Sequence, residues 1–353
     1  MNYEAFFSPF NYKSLHLRNR FVMAPMTRVQ SPDGVPTEQV AEYYGRRAGA
    51  DVGLIVTEGT TIDRPSSKNQ KDIPDFHGNA ALQNWKNIAD TVHANGGAIA
   101  PQIWHVGNTP YGWQPPAPFE GPETMSLNDI RDTIEAFGKA AKSAKEIGFD
   151  AIEIHGAHGY LIDQFFWDKT NNRTDEYGGK TLKERTRFGV EVVKAIRAAI
   201  GEEMAIILRL SQWKGIDFNA KMAHNPAELE SWVQPLADAG VDIFHASQRR
   251  YWEPEFDGSD LNFAGWIKKL TGAPTITVGS VGLNADVTSF FAGGAGAESA
   301  GFEELLRRFE RGDFDLIAVG RQLLQDPEWV KKLKEGRLDE ISAFKPESAG
   351  TYY

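Results

Sequence analysis

The chain has 353 residues, 41% of them hydrophobic and 24% charged, which is enough to bury a large core. A formal net charge of −10 without any dense Lys/Arg run argues against a nucleic-acid partner, whose affinity rests on neutralising phosphates. The absence of cysteine excludes disulfides, cysteine-ligated zinc or iron–sulfur clusters, and thiol nucleophiles.

The opening MNYEAFFSPF has no basic segment leading into an apolar run, and no later segment approaches the length needed to cross a bilayer. The expectation is a soluble cytoplasmic protein with no membrane partner. Short apolar runs then recur: RFVMAP from Arg20, VGLIVTE from Val52, AIAPQIW from Ala98 and FDAIEIH from Phe149. Four more follow, AIILRL from Ala205, VDIFHA from Val241, PTITVG from Pro274 and FDLIAVG from Phe314. Each is rich in β-branched residues and lacks clean polar alternation, so each predicts a strand buried on both faces.

Between the runs lie segments with helical spacing, including AALQNWKNIADTVHANGG, SLNDIRDTIEAFGKAAKSAKEIG and LKERTRFGVEVVKAIRAAIG, several ending in Gly. Strands alternating with helices predict a parallel sheet with crossover helices. Eight of them fit a closed (β/α)8 TIM barrel better than an open doubly wound sheet. Neither a repeat nor a linker divides the chain, and residues 1–353 read as one domain. The patch AGGAGAESAG, Ala292 to Gly301, reads as a flexible surface loop rather than a lid.

A barrel of this kind carries its active site where strands run into their following loops. Those positions hold Pro25, Met26 and Thr27 after strand one, Gly59 after strand two, and Gln102, Trp104 and His105 at strand three. Strand four runs into His155, strand five carries Arg209, strand seven runs into Gly279 and Ser280, and strand eight runs into Gly320 and Arg321. Glycines at VGSVG and VGR allow backbone N–H groups to approach an anion, and Arg321 adds a guanidinium fork, so a phosphorylated ligand is expected there.

His155 and His158, followed by Tyr160, admit two readings. Their spacing suits metal ligation from a helical turn, with His105 or Asp163 as a third ligand, but catalytic zinc usually takes three protein ligands and no third is clearly placed. No metal is therefore expected. Alternatively, two imidazoles aimed at one carbonyl oxygen would stabilise negative charge developing there, with the Tyr160 phenol supplying a proton.

NRFVMAPMTR, QIWHVGN, EIHGAHGYLIDQFFWDKTNNRTDEYGG and VGRQLLQDPEW together give the chain a resemblance to the Old Yellow Enzyme family, FMN-dependent ene-reductases built on a (β/α)8 barrel. The resemblance covers almost the whole chain. It implies that Thr27 contacts the flavin near C4 and N5, that Gln102 binds its pyrimidine edge, and that Arg209 lies beside N1 and the C2 carbonyl. Pro25, Met26, Gly59, Gly279, Ser280, Gly320 and Arg321 complete the implied cofactor site, and Trp104 joins the two histidines and Tyr160 around the substrate. It further implies FMN as cofactor, NADPH or NADH as reductant and activated alkenes as substrates. His155 and His158 would grip the activating oxygen and Tyr160 would protonate the α-carbon. The chain departs from the family in having Thr27 where one branch has cysteine, Asn108 where arginine is frequent, and VGSVG as its phosphate-loop wording. An amine-oxidising barrel enzyme and a flavin-binding protein without turnover are the alternatives. Loop aromatics Tyr111, Trp113, Trp167, Tyr251 and Trp252 are candidates for substrate selection, and homo-oligomer formation stays open.

Overall fold

The structure, a computed structural model, describes residues 3–353. A short antiparallel hairpin comes first, β1 (Phe10–Tyr12) and β2 (Leu15–Leu17). Eight parallel strands follow and close into a barrel: β3 (Phe21–Met23), β4 (Leu54–Thr61), β5 (Ala98–Trp104), β6 (Ala151–His158), β7 (Ala205–Lys214), β8 (Ile243–Ser247), β9 (Thr275–Val278) and β10 (Leu316–Val319). Each strand pairs with the next in sequence, and β10 returns to β3. Every apolar run read from the sequence is one of these strands, and the fold is the expected (β/α)8 barrel.

Alternation along the strands separates two apolar layers. Leu54, Val56, Ala100, Ile207, Ile276 and Ala318 fill the barrel interior, whereas Ile55, Ile99, Ile154 and Leu208 face outward into the core shared with the helices. Phe10, Leu15 and Leu17 of the hairpin join the interior layer. Ser14 at its turn bonds to the Asp150 and Glu203 region that precedes β6 and β7, so the hairpin plugs the end where the strands start. Only the opposite end, where the strands finish, is left open to a ligand.

The surrounding helices carry the caps their sequences supply. Ser126 and Asp129 form a reciprocal capping box at the start of Leu127–Glu146, and Asn225 accepts from the Glu228 N–H ahead of Pro226–Asp238. The Ala292–Gly301 patch differs from the flexible loop expected of it. Its first two residues finish the helix Val287–Gly293, and buried Ala297 exchanges two backbone hydrogen bonds with Phe344 (3.1 and 2.8 Å). Among the described residues, no helix is long and apolar enough to cross a membrane.

Candidate active site

A cavity of about 840 Å³ opens at the carboxyl ends of the barrel strands. Pro25, Met26, Thr27, Gln102, Trp104, His155, His158, Tyr160, Arg209, Gly279, Ser280, Gly320 and Arg321 all line it. Of the strand-end residues read from the sequence, Gly59 and His105 do not. A Cβ built on Gly59 would sit 2.4 Å from Cε3 of Trp104, so Gly59 makes room for that indole to reach the cavity wall.

His155 and His158 should point to opposite faces of β6, because side chains alternate along a strand. A register shift between Gly156 and His158 against β7 breaks the alternation, and His158 adopts φ +65°, a conformation uncommon for a residue with a Cβ. The bulge turns the second imidazole back beside the first, with ring centroids 5.3 Å apart. Shared placement thus comes from a bulged strand and not from the helical turn that the spacing suggested. Three bonds hold the strained residue: the His158 N–H donates to Ser211 Oγ (2.9 Å), the Gly215 N–H to the His158 carbonyl (3.0 Å), and the Gly159 N–H to Asp163 Oδ2 (2.7 Å).

Tyr160 stands edge-on to both His155 (4.9 Å) and Trp104 (4.7 Å), and Trp213 stacks on His158 (4.3 Å). Burial and the Arg209 charge hold both imidazoles well below their usual pKa, so they are neutral at pH 7. Burial raises the Tyr160 phenol, which therefore keeps its proton. The Ala157 N–H donates to Nδ1 of His155 (3.4 Å), leaving Nε2–H as the donor of that ring.

Beneath this group lies a buried charge system. His155, Arg209 and His245 are register neighbours across β6, β7 and β8. Buried Glu153 accepts from Gln102 Nε2 (2.9 Å) and His245 Nδ1 (2.7 Å), and its charge favours the Arg209 cation against the burial that lowers the guanidinium pKa. Arg209 Nε is buried without a hydrogen-bond partner. The bond to Glu153 also fixes the Gln102 amide, leaving its oxygen as the end available to a ligand.

At the far side of the cavity the loops after β9 and β10 are tied together. Arg321 donates to Ser280 Oγ (3.2 Å) and to the carbonyls of Ala285 (2.6 Å) and Asp286 (3.2 Å), and burial lowers its pKa to about 10. Gly279 has φ +136°, and a Cβ there would lie 2.3 Å from the Gln248 carbonyl oxygen. The tight turn therefore needs glycine, and Gly279 adds no side chain to that edge of the cavity.

Of the loop aromatics, Tyr111 alone lines the cavity, at the exposed mouth. Trp167 and Tyr251 are buried in the core, and Trp113 and Trp252 also lie off the cavity. His105 bonds Glu120 (2.9 Å), and Asp163 pairs with Lys214, so neither turns toward His155. Among the described residues no three His, Cys, Asp or Glu side chains gather in a way that could hold a metal ion. Reading the sequence missed Glu153, Trp213 and Ser247. Glu153 carried one signal, a carboxylate inside an apolar run; the other two carried none.

Residues 5–296 match the family model described as NADH:flavin oxidoreductase / NADH oxidase family. The chain belongs to this family. It is 36% identical over 357 residues to the NADH oxidase of Thermoanaerobacter brockii, matching 95% of this chain but only 51% of that protein, so it spans about half the length of that relative. It is 32% identical over 365 residues to 12-oxophytodienoate reductase 7 of Oryza sativa subsp. japonica, matching 93% of this chain and 87% of the relative. Among solved structures, morphinone reductase in complex with tetrahydroNAD superposes with a TM-score of 0.78 at 28% identity, over 98% of this chain and 94% of that one. The old yellow enzyme homologue from Zymomonas mobilis gives 0.77 at 26% identity, over 99% of each chain. The Old Yellow Enzyme resemblance read from the motifs agrees with all of these.

Proposed function

We propose that this chain is an NAD(P)H-dependent ene-reductase that uses FMN to reduce the C=C bond of α,β-unsaturated carbonyl compounds and related activated alkenes. The observation that carries the reading is the β6 bulge, which brings two neutral imidazoles and a protonated phenol to one wall of a cavity whose floor holds a buried arginine. A flavin mononucleotide fits what surrounds that cavity. Arg209 Nε lacks a partner, the Gln102 amide oxygen is free to accept, and Arg321 and the Gly279 turn form a cationic edge suited to a phosphate. When bound, FMN supplies the hydride chemistry, from NADH or NADPH to the alkene β-carbon.

The chain's own residues do the rest. Arg209 would give a bound flavin a cationic neighbour that favours negative charge on it, and Glu153 helps to keep that guanidinium charged against its burial. Thr27, Pro25 and Met26 form the cavity wall at the end of β3. His155 and His158 hold the activating oxygen of the substrate and stabilise the negative charge that develops on it, as preorganised donors do. Tyr160 gives its phenolic proton to the α-carbon. Trp104 and Trp213 flank this wall, packed against Tyr160 and His158.

The test is an anaerobic one. The purified protein should show a flavin spectrum, release FMN on heating, lose its visible absorbance on addition of NADH or NADPH, and recover it on addition of cyclohexenone. A flavin that is reduced and then not reoxidised by cyclohexenone would contradict the reading.

A further inference from the structure

The two imidazoles of the oxygen-binding wall reach it by different ring atoms. His155 uses Nδ1 to accept from the backbone and keeps Nε2 for the cavity. In His158 the arrangement is inverted: Nε2 lies 2.7 Å from Ser247 Oγ, at the end of β8, and Nδ1 has no hydrogen-bond partner among the described residues. If His158 carried its proton on Nε2, it would present a bare lone pair to the substrate oxygen and would repel it. The pair can act together only if His158 is protonated on Nδ1.

Ser247 has the surroundings to impose that state. Ser247 is buried, and Arg209 Nη2 donates to the same Oγ (3.4 Å). A guanidinium can only donate, so among the described residues His158 Nε2 is the one hydrogen-bond partner of Ser247 Oγ that can accept the hydroxyl proton. Among the described residues, no other hydrogen bond reaches the ring. One face is stacked on Trp213, whose Nε1 donates to the Ser247 carbonyl (3.2 Å) and so fixes ring and serine relative to each other.

We propose that Ser247 is a positioning residue that sets the tautomer of His158, so that the ring offers Nδ1–H to the substrate oxygen while His155 offers Nε2–H. Arg209 is thereby linked to the oxygen-binding wall through a single hydroxyl. The inference rests on the ene-reductase reading only for what the two donors bind; the tautomer itself is a property of the resting protein.

The experiment uses the FMN-loaded protein labelled with 15N-histidine. Long-range 1H–15N correlation spectra identify which ring nitrogen carries the proton, and His158→Asn assigns the signals. His158 is expected to be protonated on Nδ1. In Ser247→Ala both tautomers should be populated, and affinity for 4-chlorophenol, whose oxygen mimics the developing enolate, should fall about tenfold, as for loss of one oriented hydrogen bond. Ser247→Thr, which retains the hydroxyl, should restore both. Protonation of His158 on Nε2 in the unsubstituted protein would overturn the inference, as would Ser247→Ala with unchanged tautomer ratio and phenol affinity. Because the spectra are recorded without turnover, failure to reduce cyclohexenone would instead count against the ene-reductase reading alone.

Discussion

Lys214 Nζ lies 2.7 Å from Asp163 Oδ2 in an ion pair that solvent does not reach. The ammonium also donates to the Ser211 carbonyl (3.1 Å), and the carboxylate accepts from the Gly159 N–H. The pair thus joins the end of β7 to the segment that carries His158 and Tyr160. Burial pushes the Asp163 carboxyl up and the Lys214 ammonium down, and the pairing opposes both shifts. Removing one member leaves the other buried and uncompensated. Asp163→Asn and Lys214→Met should each lower the free energy of unfolding by about 3–5 kcal/mol. Asp163→Leu combined with Lys214→Met should recover most of that stability, yet leave alkene reduction slow, because Gly159 loses its acceptor. Denaturant titration beside turnover measurements checks both parts.

Glu58 gives the protein a pH dependence of its own. Its carboxylate accepts from the N–H groups of Arg28 (2.8 Å) and Val29 (3.2 Å), just after Thr27, and Val29 adopts φ +55°. Burial nonetheless raises its pKa from 4.5 to about 7. The folded state therefore binds this proton more tightly than the unfolded chain, and stability falls as pH rises between those values, by on the order of 3 kcal/mol in all. Glu58→Gln should lose that slope. Unfolding free energies of the two proteins measured from pH 5 to pH 8 should converge at one end and diverge at the other; parallel curves would mean that Glu58 does not titrate in this range.

Arg321 tests the phosphate edge. Arg321→Ala should weaken FMN binding by about 1.5–3 kcal/mol, the range for a hydrogen bond to a charged group, and excess FMN should restore part of the activity. Because Arg321 also ties the loops after β9 and β10, the variant should lose some thermal stability even without FMN. Fluorescence titration of the apoprotein with FMN reads the affinity, and an unchanged dissociation constant would remove Arg321 from the cofactor site.

The barrel was legible because strands buried on both faces leave a plain trace, a β-branched run without alternation, and all eight left one. The hairpin β1–β2 left none, since FNY and LHL are too short to show a period. The site was legible as far as residue type and strand end decide it. What decides the geometry of His158 is a bulge and a positive φ, and histidine does not announce either. Ser247 and Trp213 act through contacts across strands, and nothing local to VDIFHAS or LRLSQWK marks them. Gly59 shows the converse case, a residue at the right strand end whose lack of a side chain makes room for an indole.

The most direct measurement of the central claim separates the two half-reactions in Tyr160→Phe. The phenol is needed only where a carbon must be protonated, and the substitution removes the hydroxyl while keeping the ring. Stopped-flow absorbance should show flavin reduction by NADH or NADPH within a few-fold of the unsubstituted protein. Reoxidation by cyclohexenone should be slower by about 10²–10⁴, the usual contribution of a positioned acid. Reoxidation by a nitroalkene, whose nitronate product can leave unprotonated, should stay near normal. Equal slowing of both half-reactions, or undiminished reoxidation by cyclohexenone, would contradict the account.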